Sequence, residues 1–238
     1  VIRFEQVTKK YLTKTALEGI DLELPQGEII GVIGENGSGK STLLKLIAGL
    51  VRPSKGRVLV DEEPSHRRIA RKVAYLSELE TYYPFFTVQQ TVDFYETQFA
   101  DFNRERAREM MDFMQLDPQA KVKNLSKGNR GRVKLVVTLA RDAPYILMDE
   151  PLSGLDPIVR NSIIKGLISF VDLEKQTVVI TTHEINEVEA LLDRVVAIRN
   201  GKIVKVVELD ELRLNEGVSL VEWMTSIYSD NANQSKEA

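Results

Sequence analysis

The first third of the chain alternates like a sheet. In Val1–Val7 and again in Ile20–Leu24, apolar and polar residues follow the two-residue period of a half-buried strand. Ile29–Ile33 is a short apolar, β-branched run suited to a strand covered on both faces, and Pro25-Gln26-Gly27 supplies the turn before it. A glycine-rich segment follows, and then Lys40–Leu50 carries Leu43, Leu44, Ile47 and Leu50 at helical spacing. Arg57–Val60 and Val73–Leu76 read as two further strands. Between Thr87 and Leu116 the period becomes helical, with Thr87 as the N-cap of Val88–Phe99 and Asn103 as the N-cap of a second helix ending near Leu116. This stretch has no strand signal and is rich in Phe and Met, which predicts a helical subdomain over about 79–143 inserted into an α/β core. Beyond it the pattern predicts a helix over Asn129–Arg141, a strand over Tyr145–Met148, a helix over Pro157–Val171 and a buried strand over Thr177–Thr181. A helix over Glu184–Leu191 and a strand over Val195–Ile198 follow, and Asn200-Gly201 is a hairpin turn into Lys202–Val207. The run from Asp230 onward is polar, so 229–238 is expected to be a disordered tail behind one domain over 1–228.

Composition narrows the class. The chain has 238 residues, 43% hydrophobic and 28% charged, enough apolar matter for a sizeable core. Lys plus Arg number 32 against 35 Asp plus Glu, so there is no basic excess of the kind that coats a polyanion, and no nucleic-acid partner is expected. With no cysteine, disulfides, thiolate metal sites and cysteine catalysis drop out. No apolar run reaches the roughly 18 residues that cross a bilayer, and the first residues, Val1-Ile2-Arg3-Phe4-Glu5, lack the form of a signal segment. A cytoplasmic location is therefore expected, which still permits docking on a membrane protein.

Two segments carry chemistry. Gly34-Glu35-Asn36-Gly37-Ser38-Gly39-Lys40-Ser41 fits the phosphate-loop pattern and lies between a predicted strand and a predicted helix. Gly34, Gly37 and Gly39 let the backbone wrap a phosphate, and Asn36, Ser38 and Thr42 complete the contacting set. The helix that follows aims its positive end at the same anion. Lys40 reaches for the β- and γ-phosphates, and the Ser41 hydroxyl is a ligand for Mg²⁺. The second segment, Tyr145-Ile146-Leu147-Met148-Asp149-Glu150, is an apolar strand ending in two acids. Acids at the carboxyl end of a buried parallel strand sit where such sheets bind ligands. Taken alone the pair can simply cap a strand in solvent. Beside a phosphate loop, Asp149 reads as a holder of Mg²⁺ and Glu150 as the general base that activates water.

These segments resemble the ATP-binding subunit of ABC transporters, and the resemblance extends over about residues 1 to 210. Leu125-Ser126-Lys127-Gly128-Asn129 looks like that family's signature motif, with Ser126 placed 23 residues ahead of Asp149. Ser153-Gly154-Leu155-Asp156 is similar to its D-loop, His183 stands where its switch histidine would, and Tyr11 matches the aromatic that stacks on adenine. The resemblance implies an ATPase using ATP and Mg²⁺, built as a P-loop NTPase core with an antiparallel β subdomain and an inserted α-helical signature subdomain. It implies that two chains pair head to tail, as homodimer or heterodimer. Each ATP would lie between one phosphate loop and the partner's Ser126 and Gly128, with Asp156 in the nucleotide-facing set. A hydroxyl and backbone N–H groups at a helix start are chemically suited to grip a γ-phosphate. Hydrolysis would drive a transmembrane permease on a separate chain, placing this one on the inner face of the cell membrane.

By residue type alone, Ser126 reads as a plain N-cap, His183 as a structural histidine and Tyr11 as a core-edge aromatic. Their order and company carry the functional reading. Three positions depart from the family pattern. Glu78 stands where the family places a Mg²⁺-sensing Gln, and reads either as a metal ligand or as a surface acid. Lys127 and Asn129 replace the usual Gly and Gln. Glu78 and the Leu-Ser-Lys-Gly segment look like bacterial exporter ATPases, and Tyr82-Tyr83-Pro84-Phe85-Phe86 is a candidate socket for a helix of the membrane subunit. The alternative is a soluble ABC-type ATPase of ribosome or DNA-repair work. Such proteins typically resemble two fused modules or carry a long coiled-coil insertion, whereas one module is seen here. An unrelated phosphate-loop kinase or GTPase would not require the Ser126–Asn129, Ser153–Asp156 and His183 set.

Overall fold

The computed structural model describes residues 1–78, 83–216 and 218–234, with residues 215–216 and 228–234 described by backbone alone. Two sheets organise the chain. The first is antiparallel, in the order β2-β1-β4-β5, from β1 (Ile2–Tyr11), β2 (Lys14–Leu24), β4 (Lys55–Val60) and β5 (Glu63–Pro64). The first two strands run longer than their alternation predicts. Between Phe4 and Lys10 the β1–β2 register shifts three times, and each irregularity turns the following side chains to the other face, so pairing continues where the period-two signal has been lost.

The second sheet has the order β10-β9-β3-β8-β7-β6, built from β3 (Ile29–Ile33), β6 (Val73–Leu76), β7 (Tyr145–Asp149), β8 (Thr177–Thr182), β9 (Arg194–Arg199) and β10 (Lys202–Glu208). It is parallel from β9 to β6, with β10 antiparallel on β9. A parallel sheet must be covered on both faces, which explains the unbroken apolar runs. On one face, α1 (Lys40–Ile47) is packed between the two sheets, and Tyr145, Leu147, Val179 and Val196 join its Leu43, Leu44 and Ile47 in one core. On the other, Ile146, Met148, Val178 and Ile180 pack with α2 (Val88–Gln98), α3 (Arg104–Phe113), α4 (Lys127–Leu139) and α5 (Pro157–Phe170). Thr87, Asn103, Ser126 and Asp156 cap these four helices with their side chains, the first in a full capping box.

The structure differs from expectation near the C-terminus. Glu184–Leu191 is not one helix but two 3₁₀ turns, Ile185–Glu187 and Glu189–Leu191. Thr182 Oγ1 holds the Glu184 N–H at 2.9 Å, and Val188, a β-branched residue, interrupts the path with φ −116°. After α6 (Leu209–Glu211), α7 (Leu220–Gln234) returns to the second core through Leu220, Trp223, Met224 and Ile227. This helix runs into the segment expected to be a disordered tail; residues 235–238 lie outside the described residues. Among the described residues no helix is long and apolar enough to cross a membrane.

Candidate functional site

The site lies at the carboxyl ends of β3, β7 and β8, where the parallel sheet hands over to loops. The phosphate loop leaves β3 and enters α1. Its shape demands glycine: Gly39 has φ +117°, and a Cβ there would stand 2.7 Å from the Ala16 carbonyl oxygen. A Cβ on Gly34 would come within 2.2 Å of the Ile198 carbonyl oxygen. Lys40 is nearly buried. Its Nζ donates to the Gly34 carbonyl at 2.7 Å and the Glu35 carbonyl at 3.3 Å, and lies 3.1 Å from Glu150 Oε1. The Ser38 hydroxyl is buried beside Gly34 with no hydrogen-bond partner.

Adjacent strands bring the acids to this loop. Asp149 ends β7, in register with Thr181 of β8. Its Oδ1 accepts from Ser41 Oγ at 2.9 Å and from Thr181 Oγ1 at 2.8 Å, and its Oδ2 accepts from the Tyr75 hydroxyl at 3.2 Å. Burial, then the charge of Asp149 and the bond to it, hold the Tyr75 phenol far above its ordinary value, and its O–H is directed at the carboxylate. Glu150 follows in the left-handed region, φ +48°, a conformation a non-glycine residue adopts at a cost. Its N–H is fixed by the Thr181 carbonyl at 3.2 Å and the Thr181 hydroxyl at 3.0 Å. This geometry turns the side chain back over the loop, where Oε1 meets Lys40 and Oε2 lies 2.8 Å from His183 Nδ1.

Lys40, Ser41, Glu150 and His183 open on one hollow of about 440 Å³, also lined by Tyr11, Asn36, Gly37, Gly39, Thr42 and Glu78, while Asp149 lines a smaller neighbouring hollow. Tyr11 stands at the end of β1 on the rim of the larger hollow, 41% exposed, with Lys9 Nζ over its ring at 4.7 Å from the centroid. The smaller hollow has a volume of about 170 Å³, and Glu78, Glu150 and Ser153 line both. Lys134 of α4 faces the smaller one, and its Nζ donates to the Ser77 and Glu78 carbonyls at 3.0 and 2.9 Å.

The single chain does not bring Ser126, Gly128 or Asp156 into the larger hollow. Ser126 Oγ accepts from the Asn129 N–H at 3.2 Å, Gly128 packs on Val159, and Asp156 Oδ1 accepts from the Ile158 and Val159 N–H groups at 3.1 and 3.0 Å. Lys127 lies against Gly154, whose added Cβ would meet its Nζ at 2.4 Å. In the aromatic patch, Tyr82 lies outside the described residues. Phe85 is 65% exposed, and its ring pairs with Phe86 at 5.2 Å.

The residues present fit Mg²⁺. Ser41 Oγ and Asp149 Oδ1 are hard oxygens 2.9 Å apart, close to the separation of neighbouring ligands around an ion bound at about 2.1 Å. Among the described residues no group of three or more His, Asp or Glu side chains could hold a metal, so phosphate oxygens and water would fill the remaining positions. Sequence reasoning missed Thr181 and Tyr75. Both act across the sheet, and neither belongs to a local motif.

The sequence profile of the ABC transporter family matches residues 17–153. The chain is 34% identical over 233 residues to the glycine betaine/carnitine/choline transport ATP-binding protein OpuCA of Bacillus subtilis, covering 93% of this chain and 61% of that protein. It is 32% identical over 228 residues to the osmoprotectant import ATP-binding protein OsmV of Salmonella typhimurium, covering 89% of this chain and 60% of that one. It thus spans about three fifths of the length of these two relatives. The dimeric post-hydrolysis structure of the ATP-binding cassette MJ0796 bound to ADP and Pi superposes with a TM-score of 0.79 at 26% identity, over 88% of this chain and 99% of that one. The chain belongs to the ABC transporter family. Within it, the chain corresponds to the ATP-binding cassette.

Proposed function

We propose that residues 1–228 form one ATPase domain that hydrolyses ATP to drive a transmembrane permease on a separate chain, from the inner face of the membrane and as a head-to-tail pair with a second ATPase chain. One observation carries the reading: Lys40, Ser41, Glu150 and His183 converge on a single hollow at the carboxyl edge of a parallel sheet, with Asp149 directly behind Ser41 at 2.9 Å. Adenine stacks on Tyr11, while the loop N–H groups from Gly34 to Thr42 and the positive end of α1 receive the phosphates. Lys40 exchanges the Glu35 carbonyl and Glu150 for β- and γ-phosphate oxygens. Mg²⁺ held by Ser41 and Asp149 would offset the phosphate charge, and Glu78 stands close enough to the hollow to be an outer partner.

Glu150 takes a proton from water as the water oxygen bonds to the γ-phosphorus. The bond to the β–γ bridging oxygen breaks, and ADP leaves with that oxygen's electron pair. His183 holds Glu150 in place from the far side and contacts the γ-phosphate. Ser126 and Gly128, turned away from the larger hollow in their own chain, suit a role at the partner's nucleotide, with Asp156 at the same junction. Export, expected from Glu78 and the Leu125–Gly128 segment, finds no support in OsmV, which is named for import. The proposal is accordingly coupling to transport in the direction its membrane partner runs.

The test is Glu150→Gln, which keeps size and phosphate contacts and removes the base. Turnover should fall by at least about a hundredfold, the lower bound for a general base, while ATP remains bound and chains accumulate as pairs on size-exclusion chromatography. An ATP-loaded variant that stays monomeric would sink the paired mechanism. Co-purification from native membranes separates the settings: a multi-spanning partner supports transport, and ribosomal or repair partners alone would replace it with the soluble ATPase.

A further inference from the structure

A row of polar contacts runs outward from the site. His183 meets Glu150 through Nδ1, and its other nitrogen, Nε2, lies 3.6 Å from Glu184 Oε1. Glu184 Oε2 is 3.4 Å from Arg160 Nη2, and Arg160 Nη1 pairs with Glu187 Oε1. Arg160 belongs to the first turn of α5, four residues after Asp156, the residue that caps that helix and closes the Ser153–Asp156 loop. Glu184 is the N-cap of the 3₁₀ turn Ile185–Glu187, and Glu187 is its last residue. One guanidinium therefore grips both ends of the turn that immediately follows His183.

That turn needs an outside anchor. It is a single turn of 3₁₀ helix, and Glu184 sits at φ −106°, ψ 85°, outside the regular regions. The side chains of Arg160, Glu184 and Glu187 are 25%, 34% and 17% exposed, so their pairing is partly shielded from water. A planar fork can hold two carboxylates at once, whereas an ammonium offers a point charge.

We infer that Arg160 is a positioning residue for ATP hydrolysis. It fixes Glu184 and Glu187 so that His183 stays on Glu150, and it makes that contact depend on where the head of α5 stands. A displacement of the Ser153–Asp156 loop is thereby passed to the histidine without passing through the nucleotide. This inference rests on the hydrolysis reading above.

The experiment uses the full chain, with steady-state ATPase rates and an imidazole NMR spectrum, which is simple because the sequence has two histidines. Arg160→Gln should lower kcat about tenfold and leave KM for ATP within about twofold, Arg160→Lys should recover part of the loss, and in a His183→Ala background Arg160→Gln should cost less than about twofold. Without nucleotide, Arg160→Gln should shift the His183 ring signals and leave those of His66 in place. If Arg160→Gln melts early, Glu187→Gln removes one of the same contacts from the other side and is read in the same way. An unchanged kcat, an equal loss in the His183→Ala background, or unmoved His183 signals would overturn the inference. A wild-type chain without ATPase activity would overturn the hydrolysis reading, and the NMR arm would then still decide whether Arg160 positions His183.

Discussion

Thr181 carries two contacts on one hydroxyl. It donates to Asp149 Oδ1 at 2.8 Å and accepts from the Glu150 N–H at 3.0 Å, and it is fully buried. Thr181→Val keeps the shape and deletes both. The Glu150 N–H retains the Thr181 carbonyl, so the main loss is the donor to Asp149, a cost of about 1–3 kcal/mol on denaturant unfolding. If Asp149 holds Mg²⁺ as proposed, the variant should also need more Mg²⁺ for half-maximal ATPase rate, and an unchanged Mg²⁺ titration would remove Thr181 from the site. Residues 34–41 were readable in advance because a phosphate loop is local: its glycines, lysine and serine are neighbours in the chain. Thr181 and Tyr75 were not, since only the β6–β7–β8 register sets them beside Asp149.

At the scale of elements, α4 and α5 meet through a glycine. A Cβ on Gly128 would stand 2.7 Å from Val159 Cγ2. Gly128→Ala gains up to about 1 kcal/mol of helix propensity and meets an overpacking cost of about 1–3 kcal/mol, so the net effect should be destabilising. Adding Val159→Ala should remove the clash and return part of the loss in a double-mutant cycle; a neutral Gly128→Ala would show that the helices shift apart freely. Where a helix carried its own cap and apolar face, as Val88–Gln98 does with Thr87, sequence and structure agree to within a residue or two. The helix α7 also carried its signal, since Leu220, Trp223, Met224 and Ile227 are spaced for one buried face, but the polar residues after Asp230 masked its length. Glu184–Leu191 misled in the other direction. A helical pattern was present, and the chain had to leave β8 at once and hold His183 over Glu150, which two short turns achieve.

Across the whole molecule, one parallel sheet separates two cores and belongs to both, since β7 sends Tyr145 and Leu147 to one side and Ile146 and Met148 to the other. Neither core can be lost while the sheet survives, so unfolding should be one cooperative step. The single tryptophan, Trp223, is buried in the second core, so its fluorescence and the far-UV circular dichroism should give the same midpoint. Separate midpoints would mean that the helical layer melts alone. ATP with Mg²⁺ at about 100 times Kd should add roughly 2.7 kcal/mol, and chelating the metal should cut that gain, as followed by the shift in Tm.

The bond from Lys134 to two main-chain carbonyls has a mechanical consequence. A helix that pulls on peptide groups pulls with equal force whatever side chains they bear. The tether between the helical layer and the sheet edge thus does not depend on which side chain stands at position 78, so an exchange there alters the hollow without loosening α4.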